Sequence, residues 1–355
     1  MSAIRRSERI TLGVALVTAV LSGLFHVASV APVATFVVSG LALAVLAALI
    51  GQAIDQLGQR LSAGATGVLQ SALGNLPELF IGLFSLRAGL VALVQAALIG
   101  SVLANSLLVL GLALCIGGLK NGTQRFQAEA PRAITTLTLL AVAALVVPTL
   151  AVDLKTPAAQ HASALSIACA LVLLVVFAVS IPFSLGGGAS SVPLEREDPA
   201  APAWSIALTV VVLLAAGVLA AFVSEWFVDS LTPTIQLLHI SQTFTGLIIV
   251  AIAGNAVENV VGVRLAAANK ADYALSIILN SSLQVALGLT PVLVLLSFLI
   301  GGATLTLVMP PLLLVVLGLA AVLGLIVVFD GETNWLEGVA LIGLYGIIGA
   351  AFWWG

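Results

Sequence analysis

GNLPELFIG (Gly74–Gly82) and GNAVENVVG (Gly254–Gly262) are two similar polar motifs in an otherwise apolar chain. Each combines a glycine, an asparagine and a glutamate, which a uniform membrane helix would not carry. A constant shift of 180 residues aligns Gly74 with Gly254, Asn75 with Asn255, Glu78 with Glu258 and Gly82 with Gly262. Asn and Glu are scarce in this chain, so their coincidence in one register indicates an internal repeat.

The composition is typical of a membrane protein. Of the 355 residues, 61% are hydrophobic and 8% are charged, whereas soluble domains carry about 25% charged residues. Apolar runs long enough to cross a bilayer recur along the whole chain. We therefore predict an all-α, polytopic membrane helix bundle with about eleven transmembrane helices. The net charge of −3 gives no reason to expect a nucleic-acid partner.

Polar breaks divide the chain into the eleven spans of this prediction. The predicted spans are 10–28, 33–54, 64–86, 90–117, 133–151, 162–183, 203–224, 242–267, 273–299, 305–328 and 335–354. The stretch 225–241 leaves room for a short extra helix. The predicted organisation is a leading helix (1–29, retained rather than cleaved), a first five-helix repeat (30–183), a linker loop (184–203) and a second five-helix repeat (204–355). The repeated motifs with their following helices occupy 74–106 and 254–291.

The distribution of basic residues supports this division into spans. With the N-terminus placed in the cytoplasm, ten basic residues fall on the cytoplasmic side and two, Arg87 and Lys155, on the other. The ten are Arg5, Arg6, Arg9, Arg60, Lys120, Arg125, Arg132, Arg196, Arg264 and Lys270. This asymmetry follows the positive-inside rule. The motifs start on the third and eighth spans, so they cross in opposite senses, as in the inverted repeats of secondary transporters.

The two glutamates need a neutralising charge. A carboxylate at bilayer depth costs roughly 3 kcal/mol on insertion scales. The sequence places no Lys or Arg at the depth of Glu78 or Glu258; Arg264 lies six residues beyond Glu258, toward the end of its helix. A metal ion or a proton is therefore the predicted partner. One divalent cation or two protons would balance two carboxylates, so competition at one site would produce antiport.

The residues around the glutamates supply oxygen ligands. Gly74 and Gly254 allow each motif helix to open, and Pro77 lacks the N–H that would bind a carbonyl of the preceding turn. On the following helices, Ser101 with Asn105 and Ser281 with Gln284 each share one face. An all-oxygen set suits a hard cation such as Ca²⁺. The alternative is that the Asn and Glu side chains only hold the bundle together by interhelical hydrogen bonds.

These motifs resemble the cation/Ca²⁺ exchanger superfamily, and specifically its Ca²⁺/H⁺ exchanger (CAX) branch. GSVLAN at Gly100–Asn105 is similar to the family's GSxLxN element, and SSLQ at Ser281–Gln284 is similar to its SSxQ element. The resemblance implies that Glu78 and Glu258 are cation ligands and proton carriers. It also implies that six polar residues line or support the site: Asn75, Asn255, Ser101, Asn105, Ser281 and Gln284.

Two departures from the family pattern concern ion selectivity. The CAX branch usually has His after the second glutamate, where this chain has Asn259, and often Gly before SSxQ, where it has Asn280. Na⁺ is therefore retained as an alternative substrate. We predict a Ca²⁺/H⁺ antiporter with Ca²⁺ as substrate and no cofactor; the alternatives are a Na⁺/H⁺ or Na⁺/Ca²⁺ exchanger and, from another class, a cation channel. An intramembrane hydrolase is disfavoured, since no HExxH motif occurs.

The remaining acidic residues receive weaker assignments. Asp55 and Glu225 end the second and seventh predicted spans and are candidate entrance acids or ordinary interfacial residues. Asp272 opens the ninth span, where an N-cap is the simplest role. The acids of the C-terminal region, Asp330, Glu332 and Glu337, are predicted to be solvated. The short loops favour a prokaryotic cytoplasmic membrane, with the lipid bilayer as partner, and a homo-oligomer is left open.

Overall fold

The computed structural model describes residues 6–61, 69–70, 72–185 and 204–354, and it leaves the side chains of residues 7, 182–185, 257 and 258 undescribed. The described chain is almost entirely helical. Its helices are α1 (Arg6–Val27), α2 (Pro32–Gly58), α3 (Leu76–Arg87), α4 (Val91–Asn121), α5 (Glu129–Asp153), α6 (Ala162–Leu185), α7 (Ile206–Leu238), α8 (Gln242–Gly254), α9 (Ala256–Ala267), α10 (Ala271–Ser297), α11 (Pro311–Val327) and α12 (Trp335–Phe352).

Length and apolar composition make most of these helices membrane spans. Among the described residues, eight helices are long and apolar enough to cross a bilayer, or nine if the bent pair α8–α9 counts as one span. The shorter α11 is also apolar. The predicted all-α membrane bundle is confirmed, whereas the count of eleven spans stays a prediction.

Local sequence signals explain where several helices begin. Ser205 and Ser241 accept hydrogen bonds from the N–H groups of Leu208 and Phe244, which caps α7 and α8. Asn334 and Glu337 form a capping box at the start of α12. Glu337 is therefore part of a helix cap and not only a solvated acid.

Two predicted boundaries lie well away from the observed ones. The seventh span was predicted to end at residue 224, with room for a short helix at 225–241, but α7 continues unbroken through Pro233 to Leu238. The polar residues in this stretch are compatible with a continuous helix. Glu225 and Asp229 are exposed, so their charges are not buried. Ser230 is buried, but its hydroxyl bonds the carbonyl of Phe227 in the same helix. The tenth span was predicted from residue 305, but α11 begins only at Pro311, since residues 301–310 are not helical.

The elements group into two compact units. Helices α1, α2, α3 and α7 belong to the first unit, and α4 to α6 with α8 to α12 belong to the second. Each unit draws on both predicted repeats, so the compact units do not coincide with the repeats.

The second unit also contains a short antiparallel ribbon. Strand β1 (Gln124–Arg125) follows α4 and pairs with β2 (Glu332–Thr333), which precedes α12. Arg125 Nε lies 3.0 Å from Glu332 Oε1 across the ribbon. Glu332 was predicted to be simply solvated; it forms an ion pair because the ribbon register brings it opposite Arg125.

Candidate functional site

Both repeated motifs interrupt their helices at the asparagine. Asn75 has φ −99° and ψ 23°, and Asn255 has φ −94° and ψ 17°. These nearly identical angles lie outside the helical region and close to the sparsely populated bridge region. The repeat inferred from the sequence is therefore also present in the backbone. The axis of the second motif helix bends by 61° across this break.

The breaks place each glutamate in the first turn of a new helix. Glu78 is the third residue of α3, and Glu258 is the third residue of α9. The first turn of a helix carries unpaired N–H groups and a partial positive charge, which favour a carboxylate. Glu78 is half-buried, and the side chain of Glu258 lies outside the described part of the structure. Pro77 is accommodated in the first turn, where no intrahelical N–H is needed.

Gly74 is required by the geometry of the first break. A Cβ atom added at this position would lie 2.6 Å from the carbonyl oxygen of Gln70. Gly254 ends α8 and is buried. The absence of a Cβ at Gly74 thus allows the turn that precedes Asn75.

Four of the predicted site residues meet in the second unit. Asn255 Nδ2 donates to Ser101 Oγ at 2.8 Å and to the carbonyl of Ala251 at 2.8 Å. Asn105 Nδ2 donates to Asn255 Oδ1 and to Ser281 Oγ, both at 2.9 Å. Helices α4, α8–α9 and α10 are therefore linked at one buried point, and we name Ser101, Asn105, Asn255 and Ser281 the amide cluster.

The amide cluster is shielded from solvent but has a spare acceptor. Asn105 is 0% exposed and Asn255 is 1% exposed. Within the described residues, Asn105 Oδ1 accepts no hydrogen bond, although it is buried. A buried oxygen without a donor is costly, so this atom is available to a cation or a protonated group.

A second pair of hydroxyls lies beside the cluster. Ser106 Oγ and Ser282 Oγ are 3.2 Å apart, and both residues are buried. Ser106 was not among the predicted site residues. A signal in the sequence could have indicated it. Ser106 directly follows the site residue Asn105, just as its partner Ser282 directly follows the site residue Ser281.

A π-helical turn accompanies the cluster on each repeat-related helix. Residues Ala104–Val109 of α4 and Val285–Leu289 of α10 form these turns. The N–H of Leu110 bonds the carbonyl of Asn105, and the N–H of Thr290 bonds that of Val285. The two bonds are related by the same 180-residue shift as the motifs. Such π turns inside helices frequently occur at functional sites.

Glycines bring α4 and α8 close enough for the cluster to form. A Cβ on Gly100 would lie 2.3 Å from the carbonyl oxygen of Leu247, and one on Gly246 would lie 2.4 Å from that of Leu93. The two backbones therefore touch, as is common where small residues line helix interfaces in membranes. Ser101, the next residue after Gly100, is thereby held within reach of Asn255.

The other predicted site residues occupy separate places. Asn75 is buried, and it lies with Glu78 in the first unit. Gln284 is half-buried and directly precedes the π turn of α10. Asp55 and Glu225 are exposed. Asp55 lies near the end of α2 as predicted, but Glu225 lies within α7 rather than at its end, because that helix is longer than predicted.

Asp272 does not cap its own helix. Lys270 is the N-cap of α10, and Asp272 Oδ1 instead accepts a hydrogen bond of 2.7 Å from the N–H of Gln127. The N-cap prediction was wrong because the carboxylate binds the extended connection between α4 and α5.

Comparisons with known proteins agree with this architecture. The family model described as sodium/calcium exchanger protein matches residues 31–186 and 208–354. A Ca²⁺/H⁺ antiporter of Synechocystis sp. is 34% identical over 340 residues, covering 89% of this chain and 90% of that protein. The Ca²⁺/H⁺ antiporter ChaA of Bacillus subtilis is 34% identical over 342 residues, covering 94% of this chain and 95% of that protein.

A solved structure has the same fold. The crystal structure of the Ca²⁺/H⁺ antiporter protein YfkE is similar with a TM-score of 0.82 and 31% sequence identity. The match covers 97% of this chain and 99% of that chain. The likeness thus extends over nearly the whole length of both proteins.

Proposed function

Since the chain belongs to the sodium/calcium exchanger protein family, we propose that it is a secondary antiporter that exchanges Ca²⁺ for protons across a membrane. It is a transporter and not an enzyme, as its relatives are. Relatives that match about nine tenths of the chain are Ca²⁺/H⁺ antiporters. The structural observation that carries the proposal is the pair of helix breaks at Asn75 and Asn255, each of which begins a helix bearing a glutamate.

We assign Glu78 and Glu258 to the cation site. Both stand in the first turn of a helix, where the unpaired N–H groups stabilise negative charge. Discontinuous helices of this kind form the midplane binding sites of secondary transporters. Asn75, the amide cluster and Gln284 would add oxygen ligands or orient those that bind. Asn105 Oδ1 is the best placed of these, because it is buried and accepts no hydrogen bond from the described residues.

Charge balance at the two glutamates would couple Ca²⁺ transport to proton transport. An empty site with two ionised carboxylates in a low-dielectric interior is unfavourable, whereas one Ca²⁺ or two protons neutralise it. If the change between outward-facing and inward-facing states proceeds only from neutralised forms, each Ca²⁺ that crosses is exchanged for protons. The two carboxyl groups would titrate as a coupled pair.

The proposed setting is a prokaryotic cytoplasmic membrane with the N-terminus in the cytoplasm. The excess of basic residues on that side supports the orientation, and the bacterial relatives support the membrane. In this orientation α4 and α10, which carry Ser101, Asn105 and Ser281 of the amide cluster, cross the membrane in opposite senses.

Proton-driven flux tests the proposal. The purified protein is reconstituted into liposomes, a pH gradient is imposed, and uptake of radioactive Ca²⁺ is followed with Na⁺ and K⁺ as competitors. We expect uptake that stops when an ionophore collapses the pH gradient. Uptake that ignores the pH gradient and follows a Na⁺ gradient would instead assign a Na⁺/Ca²⁺ exchanger, and fast passive conductance without a counter-ion would assign a channel.

A further inference from the structure

Residues Gly301–Pro310, which we name the strap, form a non-helical segment between α10 and α11. Its side chains alternate as in a β-strand. Leu305, Leu307 and Met309 are 0%, 0% and 3% exposed, while the residues between them are only half-buried. Non-helical backbone in a membrane protein is tolerated only where its polar groups find partners within the protein. The partners of the strap are therefore informative.

Hydroxyl groups from three helices bind one edge of the strap. The N–H groups of Leu305, Leu307 and Met309 donate at 2.9, 3.0 and 2.9 Å to hydroxyl oxygens. The acceptors are Ser297 of α10, Ser166 of α6 and Thr149 of α5. Thr149 also donates from Oγ1 to the carbonyl of Leu307 at 3.1 Å.

A single amide binds the other edge. Gln95 of α4 donates from Nε2 to the carbonyls of Thr306 and Val308, at 3.0 and 2.8 Å. Gln95 is 6% exposed. Side chains thus take the place of neighbouring strands on both edges of the strap.

The strap joins the helices that carry the amide cluster. It follows α10 after the turn at residues 298–300. Gln95 lies six residues before Ser101 on α4, which is about 9 Å along the helix axis. Ser101 and Asn105 of α4 meet Ser281 of α10 at the cluster. A fixed strap therefore limits how far α4 and α10 can shift relative to each other.

The repeat-related connection after α4 is bound in a similar way. The N–H of Phe126 bonds the carbonyl of Gly331 at 3.0 Å, and the N–H of Gln127 bonds Asp272 Oδ1 at 2.7 Å. Gln124 Nε2 donates to the carbonyl of Ala266 at 3.0 Å. The two cluster helices are thus each followed by a non-helical connection that other elements of the same unit hold by hydrogen bonds.

We propose that the strap is a brace that keeps α4 and α10 in register, and that Thr149 and Gln95 are positioning residues for the cation site. The inference rests on the proposed function for the identity of the cation. Neither residue needs to touch the cation. Loss of the brace changes the spacing of the amide cluster and so weakens cation binding.

Two threonines on α5 provide a matched test. Thr149→Val removes the hydroxyl that binds the strap, whereas Thr138→Val removes a buried hydroxyl that bonds only the carbonyl of Ile134 in its own helix. Hydrogen exchange of the 303–310 peptide is measured in lipid nanodiscs. Ca²⁺ affinity is measured from Ca²⁺-dependent thermal stabilisation, and the KM and maximal rate of Ca²⁺ flux are measured in liposomes.

We expect Thr149→Val to speed exchange of the strap amides about tenfold or more, since a protecting bond is lost. We also expect it to weaken Ca²⁺ affinity and raise KM by about five- to tenfold, the effect of roughly one lost hydrogen bond. Thr138→Val should match the wild type in exchange, affinity and KM. Gln95→Met, which keeps the length of the side chain but removes both donors, should reproduce Thr149→Val and serves if that variant does not fold.

Several results would contradict the proposal that the strap is a brace. These are rapid exchange of the strap in the wild type, equal effects of Thr138→Val and Thr149→Val, or a released strap with unchanged Ca²⁺ affinity and KM. Failure of the proposed function looks different: the wild type would then lack proton-driven Ca²⁺ flux or Ca²⁺ binding, whatever the exchange of the strap.

Discussion

The two helices that follow the repeated motifs, α4 and α10, have the same backbone design but different side chains. Each has a π turn in the same register, formed by the bonds from Leu110 to Asn105 and from Thr290 to Val285. The residues at corresponding positions differ in chemistry. Gly100 of α4 corresponds to Asn280 of α10, and Asn105 corresponds to Val285.

This difference separates two roles within the site. Gly100 allows α4 to touch the backbone of α8, whereas Asn280 bonds the carbonyl of Ser276 in its own helix at 2.8 Å. Asn105 supplies an amide to the cluster, whereas Val285 is an apolar core residue with 0% exposure. The repeats thus share the π turn in the backbone, while only α4, and not α10, contributes an amide side chain to the cluster. The same comparison predicts which substitutions should be severe on one side and mild on the other.

The largest effect is expected where the repeats agree, at the glutamates. Glu78→Gln and Glu258→Gln should each reduce coupled Ca²⁺ flux by about a hundredfold or more, because each removes one of two charges that balance the cation. Both proteins should fold, since an amide is easier to bury than a carboxylate. The measurement is proton-driven Ca²⁺ uptake in liposomes. The control is Glu225→Gln, at an exposed position of α7, which should change the apparent Ca²⁺ affinity more than the coupling of Ca²⁺ flux to protons. Substantial Ca²⁺ flux in both Glu78→Gln and Glu258→Gln would refute a shared cation site.

A large asymmetry in stability is expected at the helix crossing. Gly100→Ala places a methyl group against the backbone of Leu247, which cannot move without its helix, so we expect a loss of about 3 kcal/mol or more. Asn280→Ala removes only a bond within one helix and should cost about 1 kcal/mol or less. Thermal unfolding in detergent, scored for the two variants in parallel, checks the difference. Equal losses would mean that the close approach at Gly100 does not control packing.

A moderate effect on affinity is expected at the cluster amide. Asn105→Val gives α4 the residue that α10 has at the same place, and it removes the donor to Asn255 Oδ1 and Ser281 Oγ. Apparent Ca²⁺ affinity should fall about tenfold, equivalent to about 1.4 kcal/mol. The control is Ser106→Ala, which loses only the contact with Ser282. An unchanged KM for Ca²⁺ flux in Asn105→Val would restrict the amide cluster to helix packing.

The sequence predicted the helices better than it predicted their connections. Apolar runs bounded by Gly and Pro mark membrane helices reliably, and the scarcity of Asn and Glu made the repeat visible. Residues 305–310 of the strap were assigned to a helix because Leu305, Leu307 and Val308 are as apolar as their helical neighbours. Only the structure brings Gln95, Thr149 and Ser166, which are far apart in sequence, to its backbone.

The site residues could be selected from the sequence, but their bonds could not. The repeat register identified Ser101, Asn255 and Ser281, and Asn105 was selected because it lies four residues after Ser101 on the same helix face. Which amide donates to which oxygen depends on the crossing of α4 with α8, set by Gly100 and Gly246. Such close contacts leave no periodic signal in a single sequence, so Ser106 and the strap ligands were missed.

The smallest effect on transport is expected at Asn259, the residue after the second glutamate. The corresponding residue of the first motif is the apolar Leu79. Among the described residues, Asn259 Oδ1 is buried without a hydrogen-bond partner. A buried acceptor without a donor costs about 1–3 kcal/mol. Asn259→Leu should therefore stabilise the protein by about 1 kcal/mol in thermal unfolding.

The same variant should leave the KM for Ca²⁺ and the dependence of flux on the pH gradient within about twofold of the wild type, as for a residue that contributes no transition-state or ground-state binding. Asn259→Ser keeps a polar group of smaller size and is the control for side-chain volume. If Asn259→Leu is more stable but loses proton coupling, the unpaired oxygen is retained for transport at the expense of stability. The two repeats would then differ in the proton-linked step as well as in the cluster amide, and the site would be chemically asymmetric at the residue next to the second glutamate.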